Sequence, residues 1–390
     1  MVERNLIEVI KSMLTVTLQL PGWEKKRILI YFPGGSLRGI HTTAMATALA
    51  TLNLLSNTFY FLGNSVGAII ATYATEGVQG LQRGARLFFD EALSKKQTKL
   101  WRFWRVMDVK QTINAMINRA SGKYVGNKAF VEKNNLYVTA MNKSGLLHII
   151  NPANADPCPS EAIRASVSMQ GICGQMVEVN GTKLFDAGGV SALPLEEMIL
   201  LFQPTDVLIL SNRPSKQATA GRKTPWWLKL YGLALIFLKH GFTPVTKKLA
   251  TSNDGWQEGL EYARKIKESD CPNKVNIAIL NPADINIPLI LPNTQESKDL
   301  LEGAFQATFN ATETLISFAT KMAKEEMLAE IFATEDQTIE RSVTAPEPQS
   351  KEPSDKKHYI EEEVSGEDFW GLQCQRLTLD PVVGMDYDCT

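Results

Sequence analysis

FYFLGNSVGAII, residues 59–70, decides the fold. The apolar run from Phe59 to Leu62 reads as a short buried strand. Val66 to about Thr75 is helical in composition, and Gly77 is placed to end that helix. Between them, Gly63-Asn64-Ser65-Val66-Gly67 has the form G-x-S-x-G. A serine on a tight strand-to-helix turn is lifted above the sheet edge, and the helix N-terminus aims free N–H groups and a partial positive charge at it. The five-residue pattern alone is weak, because a glycine-flanked turn that happens to contain a serine satisfies it as well. The strand before it and the helix after it are what make it a candidate nucleophile elbow.

Upstream, Arg27-Ile-Leu-Ile-Tyr-Phe32 reads as a buried strand closed by Pro33-Gly34-Gly35, and about Ile40 to Leu55 reads as a helix. Strand, loop, helix, strand, turn, helix is the order of an α/β chain with a parallel sheet and crossover helices. Downstream, 81–119 is basic, aromatic and mostly helical. Leu136–Met141 and Leu146–Ile150 read as strands, and Ser160–Val167 as a helix. Met176–Val179 and Lys183–Phe185 read as a hairpin on Asn180-Gly181. Pro194–Phe202 reads as a helix, Asp206–Leu210 and Val275–Leu280 as strands, and about Gln295–Ile331 as one or two helices. From Thr334 to Asp368 the chain is rich in Glu, Lys, Ser and Pro, a composition expected to stay disordered, before Phe369 to Thr390 regains aromatic residues. The expected organisation is an N-terminal extension over 1–26, one folded domain over 27–333, a disordered linker over 334–368 and a C-terminal segment over 369–390.

Bulk properties narrow the function. The 390 residues, 44% hydrophobic, are ample for a large core, and a formal net charge of −1 supplies no basic field for nucleic acid. Five cysteines (Cys158, Cys173, Cys271, Cys374, Cys389) form no CxxC pair, so neither a zinc site nor a disulfide framework is expected. Reduced thiols in a cytosol-like compartment fit better. The N-terminus has early acidic residues and no long apolar core, unlike a signal peptide. The most apolar window, Leu230–Leu238, is nine residues long, against the roughly 20 that a spanning helix needs. The expected location is cytoplasmic or at a membrane surface; the acidic tail, with Glu361-Glu362-Glu363, is the candidate for a regulatory or export signal.

A nucleophilic serine needs a base and an oxyanion site. Only four histidines are present, and His41, His148 and His358 fall in no obvious catalytic loop. His240, after an apolar helix, has the usual order behind a serine and an aspartate, but a helix-end cation is its favoured reading. A carboxylate is the other option. Phe185-Asp186-Ala187-Gly188-Gly189-Val190 puts Asp186 at a strand end before a glycine turn, where the ends of parallel strands share one edge with Ser65. Read alone, Asp186 is better explained as a turn residue making an Asx bond than as a base. Pro33-Gly34-Gly35-Ser36-Leu37-Arg38-Gly39 is the candidate oxyanion loop, since glycines let successive N–H groups converge on an anion, and Arg38 can orient the loop or bind a phosphate. No G-x-x-x-x-G-K-[ST] and no G-x-G-x-x-G occurs here, which disfavours a nucleotide.

Together these segments resemble the patatin-like phospholipase family: a G-G-x-x-R-G loop at Gly34–Gly39, G-x-S-x-G at Gly63–Gly67 and a D-G-G or D-G-A segment at Asp186-Ala187-Gly188, in that order. Ile163-Arg164-Ala165-Ser166 and Val190-Ser191-Ala192-Leu193-Pro194 resemble the family's segments around its aspartate. The resemblance covers about Arg27 to Leu210. It implies a three-layer α/β/α fold with a mostly parallel sheet, and a Ser65–Asp186 dyad hydrolysing acyl esters through an acyl-serine. It also implies an oxyanion hole at Gly34, Gly35 and Ser36 beside Arg38, and no metal or cofactor. Two positions depart from the pattern. Ser36 stands where a third glycine is common, and Ala187 replaces a glycine; were that position at φ > 0, alanine would cost about 1 kcal/mol or more.

The implied substrate is a phospholipid or another acyl ester. Trp226 and Trp227, with Lys229 and Lys239 nearby, are interfacial residue types that fit a membrane-contact surface or a core helix, as does the cluster Lys95–Arg105 with Trp101 and Trp104. Three functions remain open at this point: a lipid acyl hydrolase of phospholipase A or lysophospholipase type, a soluble carboxylesterase or thioesterase with the same dyad, and a catalytically silent lipid- or protein-binding module.

Overall fold

The computed structural model describes residues 4–18, 26–92, 113, 135–169, 176–214, 234, 255–268, 275–288, 291 and 294–343. Trp101, Trp104, Trp226, Trp227, His240 and the acidic tail lie outside them. The chain divides into two compact units, Met1–Glu335 and Asp336–Thr390; the second, within the described residues, holds only the end of the last helix.

The first unit is a mixed α/β fold. Strands β1 (Ile28–Phe32), β2 (Tyr60–Asn64), β3 (Leu136–Asn142), β4 (Leu147–Ile150), β5 (Val177–Val179), β6 (Thr182–Phe185), β7 (Asp206–Leu210) and β8 (Asn276–Leu280) make one sheet. Its order is β5-β6-β3-β2-β1-β7-β8, with β4 paired to β3. The run β3-β2-β1-β7-β8 is parallel, while β4, β5 and β6 pair antiparallel. The expected mostly parallel central sheet is therefore present. The described helices are α1 (Arg4–Leu18), α2 (Gly39–Thr51), α3 (Val66–Ala74), α4 (Gly77–Ala92), α5 (Pro159–Val167), α6 (Leu195–Phe202), α7 (Gly255–Glu268) and α8 (Gln295–Val343).

Alternation along the strands sorts the helices into two outer layers. Ile28, Ile30 and Phe32 of β1 pack with Leu208 and Leu210 of β7 against α1, α2, α3 and α8. The intervening Leu29 and Tyr31, with Val207 and Ile209, pack against Leu195, Met198 and Phe202 of α6 and Trp256 of α7. Both faces of β1 and β7 are fully buried, which explains their unbroken apolar sequences.

Several elements differ from the sequence reading. Residues 1–26, read as an extension, contain α1, whose Val9, Ile10 and Met13 are wholly buried in the main core. Gly77, read as the end of α3, begins α4 at φ +69° after α3 has closed at Ala74. Helix α7 was not anticipated. The region read as one or two helices over 295–331 is one helix; its buried Leu301, Ala304, Thr308, Thr312, Ile316, Ala319, Ala323 and Met327 recur at steps of three and four, one stripe of an α-helix.

Candidate active site

β2 leads directly into the elbow. Ser65 sits between β2 and α3 at φ 54°, ψ −128°, a conformation strained for any L-residue by about 1–3 kcal/mol. As the residue capping α3, its hydroxyl makes no capping bond. Its backbone N–H donates to Oγ of buried Ser166 on α5 at 3.0 Å, and its carbonyl accepts from Ala68 N at 2.8 Å. The turn requires close backbone approach on both sides. A Cβ on Gly67 would stand 1.9 Å from the Phe32 carbonyl oxygen, and one on Gly63 2.4 Å from Ala68 Cα. Glycine at these two positions lets α3 start in contact with the end of β1.

Asp186 arrives by a route other than the one expected. It follows β6, which runs antiparallel to β3 and so shares no parallel C-terminal edge with β2. The two chains converge instead from opposite directions. Asn64 of β2 is level with Thr139 and Phe185 of β6 with Met141; one further step along each register brings both Ser65 and Asp186 level with Ala140.

The Asp186 side chain is 5% exposed. Burial pushes its carboxyl up to about 6, and the Ser65 hydroxyl and then the Gly188 N–H pull it partway back. Oδ1 accepts from Gly188 N at 2.7 Å, so the Asx bond read from the sequence is present. Oδ2 is buried with no hydrogen-bond partner among the described residues; the Ser65 hydroxyl is near enough to favour the charged carboxyl without closing a hydrogen bond to it. The Asx bond thus fixes one oxygen and leaves the other available. Fully buried Tyr31 lies alongside, its hydroxyl donating to the Ala192 carbonyl at 2.7 Å; burial first, and the neighbouring Asp186 charge among the lesser causes, raises its pKa.

The glycine loop abuts the elbow. A Cβ on Gly34 would meet Ser65 Cβ at 2.8 Å. Among the described residues no acceptor takes the N–H of Gly34 or of Gly35. Ser36 adopts φ 51°, the left-handed conformation that glycine favours, at a cost of about 1 kcal/mol. Arg38 is 7% exposed and its Nε donates to the Ile287 carbonyl at 2.9 Å, tying the loop to the segment between β8 and α8. Of the two roles read for Arg38, this contact fits orientation of the loop. Ala187 is absent from the residues at positive φ and is wholly buried with Met141, Phe185 and Val190, so an alanine at this position introduces no backbone strain.

Sequence reasoning missed Asn212, which lies just past β7, is 2% exposed, and donates from Nδ2 to the Gly34 carbonyl at 2.7 Å and to the Pro33 carbonyl at 3.4 Å. No motif covers it; only the pairing of β7 with β1 brings it to the loop. Among the histidines, His41 is a core residue bridging Oγ1 of Thr308 at 2.8 Å and the Ile285 carbonyl at 3.1 Å. No helix among the described residues is long and apolar enough to cross a membrane.

No family model and no curated protein matches the sequence. Among solved structures, the crystal structure of VipD from Legionella pneumophila is similar at 12% identity and a TM-score of 0.36, covering 76% of this chain and 67% of that one. Human GIVD cytosolic phospholipase A2 is similar at 10% identity and a TM-score of 0.35, covering 81% and 66%. The chain spans about two thirds of the length of each.

Proposed function

We propose that the chain is a serine acyl hydrolase in which Ser65 is the nucleophile and Asp186 its base, acting on lipid acyl esters of the phospholipase A or lysophospholipase kind. The observation that carries this reading is the strand register that brings the buried Asp186 carboxyl level with a serine held at φ 54° on a strand-to-helix turn; burial also raises that carboxyl to about 6. A value near 6 keeps the carboxylate ionised at neutral pH while leaving it basic enough to accept a proton in the transition state.

In the proposed reaction Asp186 takes the Ser65 proton as Oγ attacks the ester carbonyl. The developing oxyanion meets the N–H groups of Gly34 and Gly35. Collapse of the tetrahedral intermediate expels the alcohol, which takes the proton from Asp186. Water, deprotonated by the same carboxylate, then releases the fatty acid and restores Ser65. Each step uses this chain's own groups. The order of the glycine loop, the G-x-S-x-G turn and the D-A-G segment, which resembles the patatin-like pattern, supports an acyl hydrolase with this dyad; a soluble carboxylesterase or thioesterase would share it, and turnover of lipid vesicles against soluble esters separates the two.

The test is labelling of the purified protein by a fluorophosphonate probe, followed by turnover of phospholipid and lysophospholipid vesicles. Labelling that disappears in Ser65→Ala and falls steeply in Asp186→Asn is the expected result. A folded wild type that never labels and hydrolyses none of these esters overturns the reading.

A further inference from the structure

We infer that Asn212 is the positioning residue of the oxyanion loop: by holding the Pro33 and Gly34 carbonyls it aims the Gly34 and Gly35 N–H groups toward Ser65. The inference rests on the reading of Ser65 as the nucleophile. It starts from register. β1 and β7 pair with Tyr31 level with Ile209, so three further steps bring Gly34 level with Asn212. Both residues lie past the ends of their strands, where ladder bonding has stopped and backbone groups need other partners.

Asn212 supplies them. A carboxamide carries two N–H donors, and here both carbonyls accept from the same nitrogen. Each of the two peptide units is trans, so its carbonyl and the following N–H point in opposite directions. Fixing the Pro33 carbonyl fixes the Gly34 N–H, and fixing the Gly34 carbonyl fixes the Gly35 N–H, each facing away from Asn212. The loop is gripped between its two neighbours: a Cβ on Gly34 would meet Ser65 Cβ at 2.8 Å, and one on Gly35 would meet Asn212 Nδ2 at 2.4 Å. Neither N–H has an acceptor among the described residues. Two preorganised, unspent donors beside a serine hydroxyl are what a developing oxyanion requires, and their aim is set from behind by one side chain.

Asn212→Asp tests this. The replacement keeps the shape and removes the donor, turning an acceptor toward both carbonyls. On a p-nitrophenyl acyl ester kcat is expected to fall on the order of 100-fold with KM unchanged, the pattern of a contact made only in the transition state. The rate of fluorophosphonate labelling falls in parallel, because that step also places negative charge on oxygen. A folded Asn212→Asp protein with wild-type kcat, or with its loss confined to KM, overturns the inference and leaves the Ser65 reading standing. A wild type that neither turns over nor labels removes the Ser65 reading and this inference together. Should Asn212→Asp not fold, the wild type labelled with 15N-glycine decides: the Gly34 and Gly35 amide protons move downfield when Ser65 is phosphonylated, and amide signals that stay put overturn the inference.

Discussion

The backbone N–H of Ser65 donates to the Ser166 hydroxyl across 3.0 Å, joining the elbow to a helix a hundred residues further along the chain. Ser166 is wholly buried and its oxygen is the acceptor for an N–H at the strained turn. A conformation at φ 54° persists only where its surroundings over-determine it, and this bond is one of the restraints. Ser166→Ala is expected to lower stability by about 1–3 kcal/mol in urea denaturation, because it strands a buried donor. It is also expected to slow probe labelling, and Ser166→Thr, which retains the oxygen, is expected to recover most of that rate.

Activity should follow the Asp186 ionisation. In the proposed reaction the carboxylate accepts the serine proton, so kcat/KM is expected to rise with pH around a midpoint near 6 and to be lost as pH falls through it. A pH–rate profile flat from 5 to 8 speaks against Asp186 as the base.

Stability should carry the opposite trend at this residue. The folded-state value, about 6, lies above the ordinary 3.8, so the folded protein holds the proton more tightly than the unfolded chain. Stability from Asp186 is therefore full below 3.8 and declines as pH rises through 6, by roughly 3 kcal/mol in all. Asp186→Asn is expected to be inactive yet more stable than wild type at pH 8, with the difference gone at pH 4, as read from denaturation midpoints.

His41 runs the other way. Burial is the main cause that lowers its pKa to about 4, and the ring joins α2 to Thr308 on α8. The folded state binds the proton less well than the unfolded chain, so stability is full above 6.5 and is lost as pH falls toward 4, by roughly 3 kcal/mol. His41→Gln, which can hydrogen-bond without titrating, is expected to flatten that acid slope. A slope unchanged from wild type would place the acid sensitivity elsewhere.

Ala187 should prove neutral for chemistry. Its backbone is not at positive φ, so Ala187→Gly gains no relief of strain there. The variant is expected to keep wild-type kcat and to lose about 1 kcal/mol from the missing methyl and the added chain freedom. A marked gain in kcat would mean that alanine does distort the site.

Most of the elements that build the site were legible along the chain. The G-x-S-x-G turn needed only its two flanking apolar runs, because close backbone packing there excludes every residue but glycine at Gly63 and Gly67. The strands β1, β2 and β7 showed as short apolar runs, because a parallel strand covered on both faces has no polar side to alternate. Helices α1 and α7 were missed for the opposite reason: each is amphipathic, and its apolar stripe acquires meaning only against the sheet it covers.

The sequence by itself determined the local conformations and the inventory of reactive groups: a serine on a glycine-flanked turn, an aspartate before a second turn, a glycine loop after a buried strand. Those follow from interactions between residues close in the chain. Only the tertiary structure decided the relations among them. It brings Ser65 and Asp186 level with Ala140 from a parallel and an antiparallel neighbour of one strand, buries Asp186 until its carboxyl rises to about 6, and sets Asn212 behind the loop at Gly34. Each depends on strand register and on the exclusion of water, which arise from pairings between residues far apart in sequence and leave no local pattern to read.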